Sequence, residues 1–292
     1  MILKEPKTYE EQMQLIQSKG FIIENEQECI AFLEKVNYYR LSAYFLPFRK
    51  KDNSYFQNIK FSKIQKIYEF DNKIRSLLFQ TIEEIEVYLR TQLSYYSGHT
   101  YGSLGYLDNS HFSPKHDSEK FAKMVEKCID ENSRTLVVKH HNKNYDGKFP
   151  IWVIIEFFSL GTLSYFFSDL NIADQKKLAK EMYATSPKNL GSWLHCITVL
   201  RNRCAHYSRL YYYLFPVMPR FQKKNYYTAD RTLFTQLLVL KYLFPNKDIW
   251  NKSILPKIEG LVNDYLPDIS LKHIGFPESW QSILSTEENH SI

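Results

Sequence analysis

The residues best suited to chemistry in this chain lie together in one short stretch. Residues 201–209, RNRCAHYSR, hold three arginines, an asparagine and a histidine in a region that is otherwise apolar. Arginine can grip a phosphate through two parallel hydrogen bonds, and histidine can move a proton near neutral pH. No Asp or Glu lies between Trp193 and Tyr213 to neutralise these cations. The stretch therefore predicts a binding site for an anion, and its residue types suit phosphodiester chemistry.

One helix is expected to carry these residues. Ser186 can cap it, Pro187 suits its first turn, and Pro216 forbids its continuation, which predicts a helix over 187–212. Successive residues of a helix are turned by about 100°, which places the apolar residues on one face, toward the core, and four polar residues on the opposite face. These are His195, Asn202, His206 and Arg209. An Arg and a His five positions apart also occur on solvated helix faces, so a face without a ligand is the alternative.

The motif and several other segments resemble a known family. Arg201 and His206, with polar Asn202 directly after the arginine, are similar to the R-x4–6-H signature of HEPN ribonucleases. Over about residues 5–215 the chain resembles the Abi-like family of bacterial abortive-infection proteins, of the AbiD/AbiF type. The segments that carry this resemblance are NYYRLSAY at 37–44, YEFDNKIR at 68–75, IEEIEVYLRTQLSYY at 82–96, FPIWVIIEFFSLGTLSYFFSDL at 149–170 and RNRCAHYSRLY at 201–211.

The resemblance implies a phage-defence endoribonuclease that cuts RNA without a metal or other cofactor. His206 would act as general acid or base on the RNA 2′-hydroxyl or the leaving 5′-oxygen, and Arg201 would stabilise the phosphorane charge. Asn202 would orient His206 or the phosphate. The product ends would be 2′,3′-cyclic phosphates. RNA is the expected partner and DNA is not.

Two other functions remain open at this point. One is a non-catalytic, regulatory RNA-binding module that uses the same basic helix face to hold a structured RNA. The other is a toxin-like effector that a cognate antitoxin, either protein or RNA, keeps silent. The second differs from the ribonuclease in its regulation rather than in its site.

Further RNA-binding residues are predicted around the motif. Arg203 and Arg209 extend it, with Arg209 positioning the RNA backbone. Tyr39 and Arg40 combine an aromatic ring with a cation, which suits stacking on unpaired bases, although core packing with solvent-facing cations is the alternative. Residues 139–148, KHHNKNYDGK, are expected to form a mobile loop that contacts RNA or a plain solvated connector. Its candidate contacts are Lys139, Lys143 and Lys148.

Composition predicts a folded, cytoplasmic protein. The 292 residues are 44% hydrophobic and 16% aromatic, which is ample for a core, and the net charge of +6 is compatible with nucleic-acid binding. Four cysteines without CxxC spacing read as reduced thiols, and the N-terminus lacks the apolar run of a signal peptide. The apolar residues 149–167 contain Glu156 and Gly161, so they predict a buried helix that breaks near Gly161 rather than a membrane span.

The predicted fold is an all-α, HEPN-like helical bundle with N-terminal and C-terminal helical extensions. Apolar spacing of three and four residues predicts helices at 8–20, 26–36, 62–97, 118–130, 149–167, 172–183, 187–212, 229–244 and 248–265. On this basis an N-terminal segment, 1–60, packs on a core, 61–216, that has a loop-rich insertion at about 98–149. A basic linker near 219–227, C-terminal helices within 217–285 and a disordered tail, 286–292, complete the chain.

Geometry adds a prediction about assembly. On an ideal helix Arg201 and His206 lie about 140° apart and about 7.5 Å along the axis, so one copy presents them poorly to a single phosphate. If two copies face each other through the 187–212 helix across a two-fold axis, the Arg201 of one and the His206 of the other could act on the same phosphate. A homodimer is therefore expected. RNA or an antitoxin that covers the same face of a monomer is the alternative.

Overall fold

The fold is all-α, as predicted, and is built around one long helix. The computed structural model describes residues 5–221 and 227–286. The helices are α1 (Tyr9–Ser18), α2 (Glu26–Lys35), α3 (Tyr38–Ser42), α4 (Phe61–Tyr101), α5 (Ser118–Glu131), α6 (Leu136–Asn144), α7 (Ile151–Ile154), α8 (Leu160–Asp169), α9 (Ile172–Tyr183), α10 (Pro187–Ala205), α11 (Leu233–Leu243), α12 (Lys247–Ile249), α13 (Leu255–Tyr265) and α14 (Trp280–Leu284). Two short parallel strands, β1 (Phe21–Ile22) and β2 (Ile59–Lys60), tie the N-terminal helices to the start of α4.

The long helix α4 contains 41 residues and is therefore about 60 Å long. Apolar residues at intervals of three and four give it a buried stripe along its length, which confirms the predicted periodicity. The helix continues through Gly98, where its end was predicted. Ile151 and Trp152 pack closely against this glycine, and such tertiary packing outweighs the low helix propensity of a single glycine. It ends before Gly102, which adopts φ 78°.

Three helices pack around α4 and position the 201–209 region. The ring of Tyr88 in α4 lies 6.0 Å from that of Tyr183, which ends α9 four residues before α10 begins. Arg201, near the end of α10, lies over Phe79, nine residues before Tyr88, so α4 and α10 run antiparallel. α8 lies against α10, and α13 packs on α4 through Tyr265. The exposed end of α10 is thereby fixed beside the first half of α4.

One continuous cluster of buried side chains extends from Met13 in α1 to Leu284 in α14. It crosses the predicted boundaries at residues 60 and 216, because α2 contributes to the same core as α4, and α11 and α13 pack on α10 and α4. The predicted basic linker and tail fall largely on residues 222–226 and 287–292, which lie outside the described residues.

One prediction about the middle of the chain needs correction. Residues 136–144 form α6, which Thr135 caps, so the predicted loop at 139–148 is mostly helical. The apolar segment breaks at Phe158 and Ser159, two residues before Gly161, near which the break was predicted, because the Ser159 side chain accepts the N–H of Thr162 and starts α8 there. Within the described ranges, no helix has both the length and the hydropathy needed to cross a membrane.

Candidate functional site

The helix that carries the Arg–His motif ends earlier than predicted. α10 stops at Ala205, and His206 is its C-cap residue. Tyr207 adopts a left-handed conformation with φ 53°. The N–H groups of Tyr207 and Ser208 donate to carbonyls three and five residues earlier, at 3.0 and 2.9 Å. This pair of hydrogen bonds is the Schellman arrangement, which ends a helix without the help of proline.

The predicted helix over 187–212 was therefore too long, and Pro216 is not what ends it. Arg209 lies beyond the helix, so it does not share a helical stripe with Asn202 and His206 as predicted. Any assembly through this element involves only Pro187–Ala205 and the turn that follows it.

A buried carboxylate in α4 holds that turn in place. Asp71 is fully buried and accepts the backbone N–H groups of Leu210, at 3.0 Å, and Tyr211, at 2.6 Å. It also accepts the Tyr44 hydroxyl, at 2.7 Å, and the Arg75 guanidinium, at 2.9 Å. We refer to Asp71, Tyr44 and Arg75 as the Asp71 cluster. It fixes the backbone just after the motif.

Burial and hydrogen bonding act in opposite directions on the pKa of Asp71. Burial raises the pKa of the Asp71 carboxyl, whereas the hydrogen bond from Tyr44 and the charge of Arg75 favour its ionised form. Burial also raises the pKa of Tyr44, so its hydroxyl remains a donor. The neighbouring Cys204 thiol has its pKa raised by burial to about 12, which leaves it protonated and unreactive near neutral pH.

Two arginines of the motif region are committed to contacts within the protein. The Arg203 guanidinium lies 3.4 Å from the centre of the Tyr213 ring and donates to the Arg209 carbonyl. Arg209 donates to the Ala43 carbonyl at 2.7 Å. Burial lowers the pKa of both guanidinium groups, but the ordinary value for arginine is so high that both stay charged. These two arginines add positive potential to the site while holding its backbone.

The three predicted catalytic side chains differ from Arg203 and Arg209 in their surroundings. Asn202 and His206 are exposed, and Arg201 is partly buried with its guanidinium 5.8 Å from the centre of the Phe79 ring. Within residues 5–221 and 227–286, none of these three side chains has a hydrogen-bond or ion-pair partner. Their donors and acceptors are therefore available to a ligand.

The fold brings one of the two predicted N-terminal contacts directly to this region. Arg40 of α3 donates to the Tyr207 carbonyl, next to His206 in the chain. Its neighbour Tyr39 is 87% exposed, whereas Leu41 and Tyr44 of the same segment are buried. The segment thus combines core packing with an aromatic ring and a cation at the surface.

The predicted lysines of residues 139–148 lie far from the motif. Lys139, Lys143 and Lys148 are exposed on or next to α6. This segment joins the far end of α4, because the Tyr106 hydroxyl donates to the Phe149 carbonyl and the Ile151 N–H donates to Ser103, both at 2.8 Å. From Phe79 to the end of α4 is about 33 Å along the axis. The lysines and the motif therefore cannot contact the same phosphate.

A groove that the sequence did not predict lies beside the motif. Its volume is about 670 Å³, and it lies between α4 and the end of α10. It is lined by Arg40, Tyr68, Asn72, Arg75, Ser76, Phe79, Gln80, Cys204, Ala205 and Tyr207. Asp71 carried a signal that was available, since it falls on the apolar stripe of α4, where a carboxylate needs partners. Phe79 and Gln80 carried no such signal.

The site is rich in cations. Within the two described ranges, no group of three or more His, Cys, Asp or Glu side chains could hold a metal ion. The fold and site thus define an all-α protein with a partly buried arginine and an exposed asparagine and histidine at a helix end.

The chain belongs to the Abi-like protein family, whose model matches residues 31–212. This range includes α3, the whole of α4 and α10, and the turn held by the Asp71 cluster. No curated protein and no solved structure matches the chain.

Proposed function

We propose that this protein is a phage-defence ribonuclease of the HEPN type, which cleaves RNA without a metal through Arg201, Asn202 and His206. The observation that carries the proposal is the division of labour at the end of α10. Arg203 and Arg209 are bonded to the protein, whereas the three proposed catalytic side chains have no such bonds within the described residues. Membership of the Abi-like family supports the role in phage defence.

The proposed reaction uses a nucleophile that RNA itself supplies. His206 removes the proton from the 2′-hydroxyl or returns one to the leaving 5′-oxygen, and the 2′-oxygen attacks the adjacent phosphorus. The P–O5′ bond breaks, which leaves a 2′,3′-cyclic phosphate and a 5′-hydroxyl. Arg201 stabilises the negative charge of the phosphorane, and Asn202 orients His206 or the phosphate.

The cations around the site have separate proposed roles. Arg203 and Arg209 raise the local positive potential from within the fold, which favours the approach of a polyanion. Tyr39 and Arg40 are proposed to contact RNA near the site. Lys139, Lys143 and Lys148 are proposed to contact RNA only when it is long enough to follow α4. A cognate antitoxin, either protein or RNA, is proposed to cover the site in the silent state.

The deciding experiment is cleavage of total cellular RNA by the purified full-length protein in the presence of EDTA. We expect cleavage that leaves 2′,3′-cyclic phosphate ends. Arg201→Ala and His206→Ala should each lower the rate at least about 100-fold, because each removes a group that acts in the transition state. Both variants should retain the helicity and a Tm close to that of the wild type, since neither side chain makes a hydrogen bond or ion pair within the described residues and Arg201 contributes only its contact with the Phe79 ring.

Matched controls are available elsewhere on the surface. Arg49→Ala and His99→Ala remove an exposed arginine and an exposed histidine that lie outside the proposed site and outside residues 139–148, and both should cleave at the wild-type rate. Cleavage that EDTA abolishes, or full activity in the two site variants, would contradict the proposed mechanism. Salt-dependent RNA binding without any cleavage would instead support the non-catalytic RNA-binding module.

A further inference from the structure

We infer that the groove between α4 and the end of α10 binds one unpaired nucleobase of the RNA, next to the phosphate that is cut. This inference rests on the proposed function and adds to it a site for the base. Its evidence comes from three features of the groove: its aromatic walls, its row of polar groups, and its position relative to Arg201 and His206.

The aromatic walls come from two elements. Phe79 of α4 lines the groove and supports the Arg201 guanidinium with the same ring. Tyr207 lines it from the turn after α10 and is 68% exposed. Its left-handed backbone is held by the Schellman hydrogen bonds and by Arg40, so the ring is presented to the groove although it is not packed in the core. Aromatic faces of this kind bind unpaired bases by stacking.

The polar groups form a row along α4. Asn72, Ser76 and Gln80 line the groove at intervals of four residues, so they follow one another on the same side of the helix. Among the described residues, the Gln80 amide has no hydrogen-bond partner. Amide groups can both donate to and accept from the edge of a base. Asn72 Oδ1 already accepts from Arg75, and the Ser76 hydroxyl already donates to the Asn72 carbonyl. Gln80 is therefore the member of the row best placed to prefer one base over another.

The position of the groove determines which nucleotide of the RNA it would bind, namely the one next to the cleaved phosphate. Ala205 and Tyr207, the two neighbours of His206, both line it, and Phe79 joins it to Arg201. A nucleotide whose base enters the groove thus has its phosphate beside the end of α10, where Arg201 and His206, from one chain or from two facing chains, can reach it. The volume of about 670 Å³ is within the range of small-ligand pockets.

The first test measures stacking in the full-length His206→Ala protein, which should not cut its ligand. RNA oligonucleotides carry 2-aminopurine at each position around the cut mapped with the wild type. We expect strong quenching at one position, and its loss when Phe79→Leu or Tyr207→Asn is added. Asparagine tolerates the left-handed backbone at residue 207. The matched control is Tyr95→Leu, an exposed ring on α4 about 24 Å from Phe79, which should leave quenching unchanged.

The second test measures cleavage by the wild-type protein. Removing the base at the quenched position should lower kcat/KM about 10-fold, and the same removal should have little further effect in Phe79→Leu. Gln80→Ala should change the base preference at this position without changing the Tm.

The failure of this inference differs from the failure of the proposed function. Cleavage that depends on Arg201 and His206 but ignores the missing base and the groove variants would overturn the base site alone. Groove variants that lower self-association and leave quenching intact would also overturn it, since the groove would then be an interface between copies. Absence of any RNA cleavage or binding would instead remove the proposed function on which the inference rests.

Discussion

At the scale of single residues, identical side-chain types in one short stretch have different roles because their surroundings differ. Arg203 and Arg209 are bound to a ring and to backbone carbonyls, while Arg201 meets only the Phe79 ring among the described residues. A guanidinium that already holds the fold has fewer donors left for a phosphate, and its removal would damage the structure. Arg201 and His206 are therefore the residues at which activity can be separated from stability.

The Asp71 cluster gives a prediction about stability. Asp71→Asn should lower the free energy of unfolding by about 3–5 kcal/mol, because it leaves Arg75 buried without its counter-charge and turns an amide N–H₂ toward groups that donate. Urea unfolding followed by circular dichroism measures the change. The matched control is Glu119→Gln, which breaks another i,i+4 pair, Glu119 with Lys123, at the surface. Its effect should stay below about 0.5 kcal/mol. A loss under about 1 kcal/mol for Asp71→Asn would show that the cluster does not hold the turn.

At the scale of elements, the end of α10 decides what the motif can do. The Schellman turn stops the helix at His206, exposes that imidazole, and redirects the chain so that Leu210 and Tyr211 reach Asp71. A left-handed residue at this position is usually glycine, and here it is Tyr207. The inferred base site would give this backbone strain a function, because the strained residue places the Tyr207 ring at the groove.

This strain gives the second prediction. Tyr207→Gly should stabilise the fold by about 0.5–1 kcal/mol, since glycine adopts positive φ without strain, and should weaken RNA binding. The matched control is Ala184→Gly, at the left-handed end of α9 (φ 47°), which should stabilise by a similar amount and leave RNA binding unchanged. Thermal unfolding and fluorescence anisotropy with a labelled RNA measure the two effects. Destabilisation by Tyr207→Gly would mean that contacts of the ring outweigh the backbone strain.

At the scale of the whole molecule, α4 acts as a spacer. Its first half carries the Asp71 cluster and the groove, and from Phe79 in the groove to the far end of α4, beside which the α6 segment packs, is about 33 Å along the axis. The molecule therefore offers two separate basic regions. A short RNA would engage only the region at the end of α10.

The prediction at this scale concerns a shared site. We propose that two copies face each other through α10 and the turn after it, so that Arg201 of one and His206 of the other serve one phosphate. Arg201→Ala and His206→Ala chains, each inactive alone, should then regain about a quarter of the wild-type rate when mixed in equal amounts. Half of the dimers would be mixed, and each would have one intact site of two.

Light scattering on the same mixture provides the control for assembly. A dimer at micromolar concentration is expected for the wild type and for both variants. A monomer by light scattering, together with no recovery of cleavage on mixing, would exclude the shared site for the free protein.

The sequence by itself determined most of the helices. Periodicity predicted α4 and α9, because this signal acts between residues only a few positions apart. The same local rule identified the Arg–x4–His motif. It also explains why the predicted start of α10 was correct, since the Ser186 cap is local.

Only the tertiary structure decided how these parts are used. Asp71 holds a backbone 139 residues away, and Arg40 reaches Tyr207 across 167 residues, so neither contact leaves a periodic or local pattern. These contacts fix the turn after α10, separate the committed arginines from Arg201, and form the groove with Phe79. The α6 lysines are excluded from the site for the same reason, because the distance between them and the motif is set by the length of α4 and not by the spacing of residues in the chain.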